Sequence, residues 1–256
     1  MTVRPAGTAW LPYGFVVLAV LAVLLVVWAL RGRRPVVGLP DRDGYFAAWA
    51  TVHGGYDPRG TGLVGWWLSG VYVIAQPLAR AGVSPSVLTS FGVVAAGLVP
   101  CITVVGPRWP ILAGLVVALS AGLDNLDGAV AVLTSRTSAW GFLVDSLVDR
   151  VSDAAYLVAF WLLGAAGWLC VAAGAALALL EYARARAGNA GMGAVEVVTV
   201  GERPTRVIIA SSFLITAGIF SDHAAVIAVI AVLATAGVSV IGLGQLLAAA
   251  RRVLAG

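Results

Sequence analysis

The sequence predicts an all-α, polytopic membrane helix bundle: six core transmembrane helices, an N-terminal anchor helix and an interfacial amphipathic helix. Three observations predict it. Of 256 residues, 61% are hydrophobic and only 11% are charged. Several apolar runs are long enough to cross ~30 Å of hydrocarbon at ~1.5 Å per residue. The basic residues are sixteen arginines with no lysine, and they gather at alternate ends of the apolar runs, as orientation in an anionic membrane requires. The net charge of +4 therefore reads as membrane orientation. No basic stripe with interleaved aromatics is present, so nucleic acid is not an expected partner. Cys101 and Cys170 fall inside apolar runs and read as small buried hydrophobes, so no disulfide or redox chemistry is indicated.

The first apolar run, residues 10–30, is followed at once by Arg31, Arg33 and Arg34. A long core with its positive cluster behind it is an uncleaved anchor, residues 1–34, with the N-terminus outside and Arg34 in the cytoplasm. Residues 35–61 are polar and turn-rich, a cytoplasmic connector with one short helix near 45–52 and no interpretable motif. The membrane domain, 62–256, comes next. Within it, residues 66–81 mix Trp66, Trp67 and Tyr72 with Gln76 and Arg80, which suits a helix lying at the interface. Six spans are expected at 88–106, 110–133, 140–163, 166–186, 205–220 and 223–250. Alternation from an inside Arg80 places Arg136, Arg184, Arg186, Arg203, Arg206, Arg251 and Arg252 in the cytoplasm, leaving Arg4 and Arg108 opposite.

Four aspartates interrupt these spans. Asp124 and Asp127 are three apart near the inner end of the second core span, and Asp145 and Asp149 are four apart near the inner start of the third. Either spacing puts both side chains on one helix face. An ionisable side chain at bilayer depth costs about 2.5–3.5 kcal/mol on insertion scales, so four together call for a cation or a water-filled cavity. An all-oxygen donor set suits a hard ion, Mg²⁺ or Mn²⁺. Two such ions could clamp a diphosphate. Gly128 and Gly141 leave room for a substrate beside the backbone, or serve close helix packing. His53 and His223 lie on opposite sides and do not join the aspartates. Glu181 is one turn from Arg184 and placed for a local ion pair, and Asp153 extends the Asp145 and Asp149 face toward Arg150.

The strings DNLDGAVA (124–131) and GFLVDSLVD (141–149) resemble the signature of the CDP-alcohol phosphotransferases, with every spacing kept. SPSVLT (84–89), YARARA (182–187) and GERPTR (201–206) are similar to further family segments, so the likeness covers roughly residues 62–252. One position departs: Val132 stands where the family has arginine, and Arg136 or Arg150 is placed to supply a guanidinium instead.

The resemblance implies a membrane transferase of phospholipid biosynthesis. It would move a phosphatidyl or substituted phosphoryl group from CDP-diacylglycerol, or a related CDP-alcohol, to a small or phosphorylated acceptor alcohol, releasing CMP. Asp124, Asp127, Asp145 and Asp149 would hold two divalent ions, with Asp149 also the catalytic base. Gly128, Ala131, Gly141 and Arg136 would line the donor nucleotide, and Arg184, Arg186, Arg203 and Arg206 an anionic acceptor. The expected location is a bacterial plasma membrane with the site facing the cytoplasm. The resemblance also implies a homodimer; the pairs Ala118 with Gly122 and Gly237 with Gly244 would serve that or packing within one bundle. The competing expectation is a non-catalytic nucleotide-lipid binder or a divalent-ion transporter.

Overall fold

The computed structural model describes residues 36–254, apart from 53, 61 and 193–196, together with isolated positions between 14 and 27. The anchor at 1–34 and His53 thus fall outside the described residues, except that Gly14, Val16, Val17, Val20, Leu21, Leu24 and Val27 are helical. The described elements are α1 (Arg42–Val52), α2 (Gly62–Arg80), α3 (Pro85–Thr103), α4 (Pro110–Leu133), α5 (Ala139–Leu162), α6 (Gly167–Asn189), α7 (Arg203–Ile219) and α8 (Ala224–Leu254). No strand occurs among the described residues.

Local chemistry sets several of these starts. Prolines stand in the first turns of α3 (Pro85), α4 (Pro110) and α7 (Pro204), where a missing N–H leaves no helical bond unmade. The Ser138 hydroxyl accepts a 3.0 Å hydrogen bond from the Gly141 N–H and caps α5. That cap fixes the register that puts Asp145 and Asp149 on the second and third turns. Arg203 opens α7, two residues earlier than the sequence predicts, and α8 continues to Leu254, so Arg251 and Arg252 lie inside its last turn.

The helices run up and down, and their contacts fix the register. Gly92 meets Ser120 while Thr89 meets Asp127, so α3 and α4 are antiparallel. Gly114 faces Ser211 and Ile215, Gly218 faces Ile111, and Arg203 faces Asp124, so α4 and α7 are antiparallel as well. Leu157 meets Gly174 and Arg150 meets Glu181, which does the same for α5 and α6. The main core fills the bundle between α3 and α8, with Val99, Val117, Phe160, Leu214 and Val232 buried at its centre.

Among the described residues, four segments are long and apolar enough to span a membrane: Pro85–Thr103, Pro110–Leu133, Gly167–Asn189 and Ser221–Leu254. α5 and α7 complete the predicted six positions, but α5 carries Asp145, Asp149, Arg150 and Asp153, and α7 has 17 residues and begins on arginine. These two helices gain from neighbours what lipid cannot give them, namely partners for charge. α2 has the expected amphipathic character. Its Leu68, Val71, Ala75 and Ala79 form a buried stripe while Trp66 and Trp67 are exposed. Among the described residues, a Cβ at Gly122, Gly237 or Gly244 would meet nothing within 4 Å.

Candidate active site

α4 and α5 face each other across a cavity whose wall includes Asp124, Asp127, Gly128, Ala131, Arg136, Gly141 and Asp145. α4 brings Asp124 and Asp127 on successive turns. α5 brings Asp145 opposite them. One carboxylate oxygen from each of these three aspartates lies within 4.8 Å of the others. The arrangement fits a hard divalent ion: the donors are all oxygen, they converge from two helices, and Asp124 Oδ1 is buried with no hydrogen-bond partner among the described residues. Asp127 is further held by the Thr89 hydroxyl on α3, which donates to its Oδ2 at 2.5 Å. No spacing in the sequence points to Thr89 for this role, although it closes the SPSVLT segment.

Asp149 stands apart from this trio. Its Oδ1 pairs with the Arg203 guanidinium, and its Oδ2 lies 3.5 Å from Arg150. Arg203 also pairs with Asp124 through the same nitrogen, so one guanidinium from α7 joins the two acidic helices. A cation at a helix N-terminus opposes the helix dipole, and these two carboxylates supply the compensation. Three carboxylates thus converge, and Asp149 lies beside them with its oxygens engaged by Arg150 and Arg203.

The other arginines are placed very differently from one another. Arg206 is 3% exposed; its Nη1 sits 2.7 Å from Glu181 Oε1 and 2.7 Å from the Gly201 carbonyl, and its Nη2 3.4 Å from Asp153. Arg184 reaches Glu202 at 2.6 Å, the Thr199 hydroxyl at 3.0 Å and Glu181 at 3.7 Å. Arg150 reaches Asp153 at 3.6 Å and Glu181 at 3.3 Å. Arg150 and Arg206 are thus struts of an ion-pair network tying α5, α6 and α7, and Arg206 leaves no open face for an acceptor. Arg186 is exposed near the end of α6. Glu181 is the hub of this network, more than the local partner of Arg184 that its spacing suggests.

Of the two glycines singled out, Gly128 would point a Cβ into open space, with nothing within 4 Å. Helix packing therefore does not account for it, and the room it leaves belongs to the cavity. A Cβ at Gly141 would lie 3.2 Å from the Ser138 hydroxyl oxygen in the α5 cap. Val132 is buried in an apolar cluster with Tyr45, Phe46 and Leu88, so the position that departs from the motif is filled by packing. Exposed Arg136 remains on the cavity wall, in the turn between α4 and α5.

The family model described as CDP-alcohol phosphatidyltransferase matches residues 82–241. The chain is 36% identical over 143 residues to the archaetidylinositol phosphate synthase of Pyrococcus horikoshii, covering 55% of this chain and 75% of that one. It is 33% identical over 188 residues to the phosphatidylinositol phosphate synthase of Streptomyces avermitilis, covering 69% and 73%. The fold is similar to a crystal structure of Mycobacterium tuberculosis phosphatidylinositol phosphate synthase with CDP-DAG bound, at a TM-score of 0.52 and 23% identity over 69% of this chain and 92% of that one. The three-carboxylate site sits wholly within the matched residues. The chain belongs to the CDP-alcohol phosphatidyltransferase family and is an integral-membrane transferase of phospholipid synthesis.

Proposed function

We propose that this transferase moves a phosphatidyl group from CDP-diacylglycerol to an inositol phosphate, releasing CMP. The observation that carries the acceptor is its similarity to two synthases, one archaeal and one bacterial, both named for inositol phosphate products and both matched over about three quarters of their length (75% and 73%). A phosphorylated acceptor also suits a site bordered by arginine, since forked guanidinium donors match phosphate oxygens.

Asp124, Asp127 and Asp145 hold Mg²⁺ or Mn²⁺ in this reading, and two ions are the number proposed, with Asp149 contributing when loaded. When bound, the metal neutralises the diphosphate and stabilises charge on the leaving oxygen. Asp149 accepts the proton of the acceptor hydroxyl as the oxygen forms its bond to the donor's β-phosphorus and the bond to the bridging oxygen of CMP breaks. A carboxylate's ordinary pKa of about 4 lies far below that of an alcohol, so Asp149 depends on positioning, and Arg150 and Arg203 set its place. Gly128, Ala131, Gly141 and Arg136 border the donor, with Gly128 letting it approach the α4 backbone. Arg203, beside Asp124 and Asp149, and exposed Arg186 are the acceptor-phosphate contacts, while Arg184 and Arg206 hold the helices that present them.

The arginine distribution supports a site opening to the cytoplasmic side of a bacterial plasma membrane, with the N-terminus outside. The deciding experiment is CMP release from CDP-diacylglycerol by the purified protein with Mg²⁺ or Mn²⁺, offered inositol phosphate, inositol, glycerol phosphate or serine. Release that depends on inositol phosphate is expected. Release with another acceptor, and none with inositol phosphate, would overturn the assignment.

A further inference from the structure

The connector helix α1 lies outside the residues matched by the family model, yet it forms part of the cavity wall. Tyr45 and Trp49, one turn apart on α1, both line the cavity that contains Asp124, Asp127, Gly128 and Asp145. Tyr45 has 0% exposure, and its ring is held between Phe46 and Tyr72, with centroids 6.0 and 5.6 Å away. The two neighbouring tyrosines differ in one respect. The Tyr72 hydroxyl donates to the Pro40 carbonyl at 3.3 Å and accepts from Gln76 Nε2 at 2.6 Å. The Tyr45 hydroxyl is buried with no hydrogen-bond partner among the described residues. A buried phenol without a partner is costly, and Phe would pack the same ring without that cost.

We propose that Tyr45 is a donor-binding residue, its hydroxyl hydrogen-bonding the cytidine diphosphate portion of the CDP-linked lipid so that α1 forms one wall of the nucleotide site. This rests on the reading of the cavity as the donor pocket. Two features select the donor over the acceptor. Arg184, Arg186, Arg203 and Arg206 are all absent from the wall of this cavity, whereas Gly128 and Arg136 belong to it. Tyr45 also shares its apolar cluster with Ala129 and Val132, the α4 residues that follow Gly128 on the same helix. The nucleotide is the part of the donor rich in hydrogen-bond acceptors, whereas its acyl chains have none beyond the ester oxygens. Burial pushes the Tyr45 phenol up to about 12, so it remains protonated and able to donate at any working pH. The rest of α1 is anchored independently of Tyr45: the Gly44 N–H donates to Asp41 Oδ1 at 2.8 Å, and Arg59 donates to the Asp43 carbonyl at 3.3 Å.

The test compares the full chain with its Tyr45→Phe variant, measuring binding of CDP-diacylglycerol with Mn²⁺, KM for both substrates, and thermal unfolding. Tyr45→Phe should weaken CDP-diacylglycerol binding and raise its KM about tenfold, the loss of one hydrogen bond. The KM for inositol phosphate should stay unchanged and the melting temperature should be equal or higher. Equal donor binding by both proteins would overturn the role of Tyr45 while leaving the donor-pocket reading in place. A variant that melts lower and loses both substrates alike would make the hydroxyl structural and also overturn it. A wild-type chain that binds no CDP-diacylglycerol would remove the donor-pocket reading, and the Tyr45 assignment with it.

Discussion

The Thr89 hydroxyl donates to Asp127 Oδ2 at 2.5 Å, joining α3 to the convergent carboxylates of α4. Asp127 is 7% exposed, so this bond limits the rotation of a side chain that has little water to compete for it. Thr89→Val keeps the shape and removes the bond. Outer partners of metal ligands are commonly worth 10–100-fold in metal affinity or activity. Activity titrated against Mn²⁺ should therefore show a metal requirement about 10–100-fold higher, with the melting temperature little changed.

Asp149→Asn keeps the size of the side chain and removes its ability to accept a proton. CMP release should fall at least about 100-fold, in the range that positioned general bases supply. CDP-diacylglycerol binding should survive, because the three convergent carboxylates remain. A variant that loses binding as strongly as turnover would make Asp149 a metal ligand without a role at the proton.

Arg206 neutralises Asp153, which is buried with it, and the half-buried Glu181. Removing one member of a buried ion pair strands the other, at about 3–5 kcal/mol. Arg206→Met should accordingly lower the melting temperature sharply, and adding Asp153→Leu should recover part of the loss. A stable Arg206→Met protein with a raised KM for the acceptor would instead give Arg206 a direct substrate contact.

Gly114 lets α7 approach α4 closely, with the Ser211 hydroxyl donating to the Gly114 carbonyl at 2.9 Å. A Cβ there would fall 2.6 Å from the Ser211 carbonyl oxygen and 2.7 Å from Ile215 Cγ1. Overpacking of this kind costs about 1–3 kcal/mol and must be relieved by backbone movement. Gly114→Ala should thus lower stability. It should also reduce CMP release, because α7 carries Arg203 to Asp124 and Asp149. Thermal unfolding and turnover measured on the same preparation test both parts. Gly128→Ala is the contrasting case, since its Cβ meets nothing within 4 Å among the described residues. Its stability should hold while the KM for the donor rises.

The sequence by itself determined the helices and the family. Long apolar runs, prolines at helix starts and the Ser138 cap are local signals, and each acts through chain within a few residues of it. Aspartates three and four apart likewise announce two acidic faces, since helix periodicity alone aligns them. Only the tertiary structure decided how those faces are partnered. Helix periodicity gives no information on which residues of α3 and α7 arrive opposite, so Thr89 at Asp127 and Arg203 between Asp124 and Asp149 could not be read from spacing. The four arginines look alike in the sequence, yet α6 and α7 bury Arg206 and expose Arg186, because burial depends on what packs over each side chain. The connector looked featureless for the same reason. Tyr45 and Trp49 acquire their place from the cavity wall formed when α1 packs on α2 and α4, a contact between segments roughly 80 residues apart in the chain that no local pattern encodes.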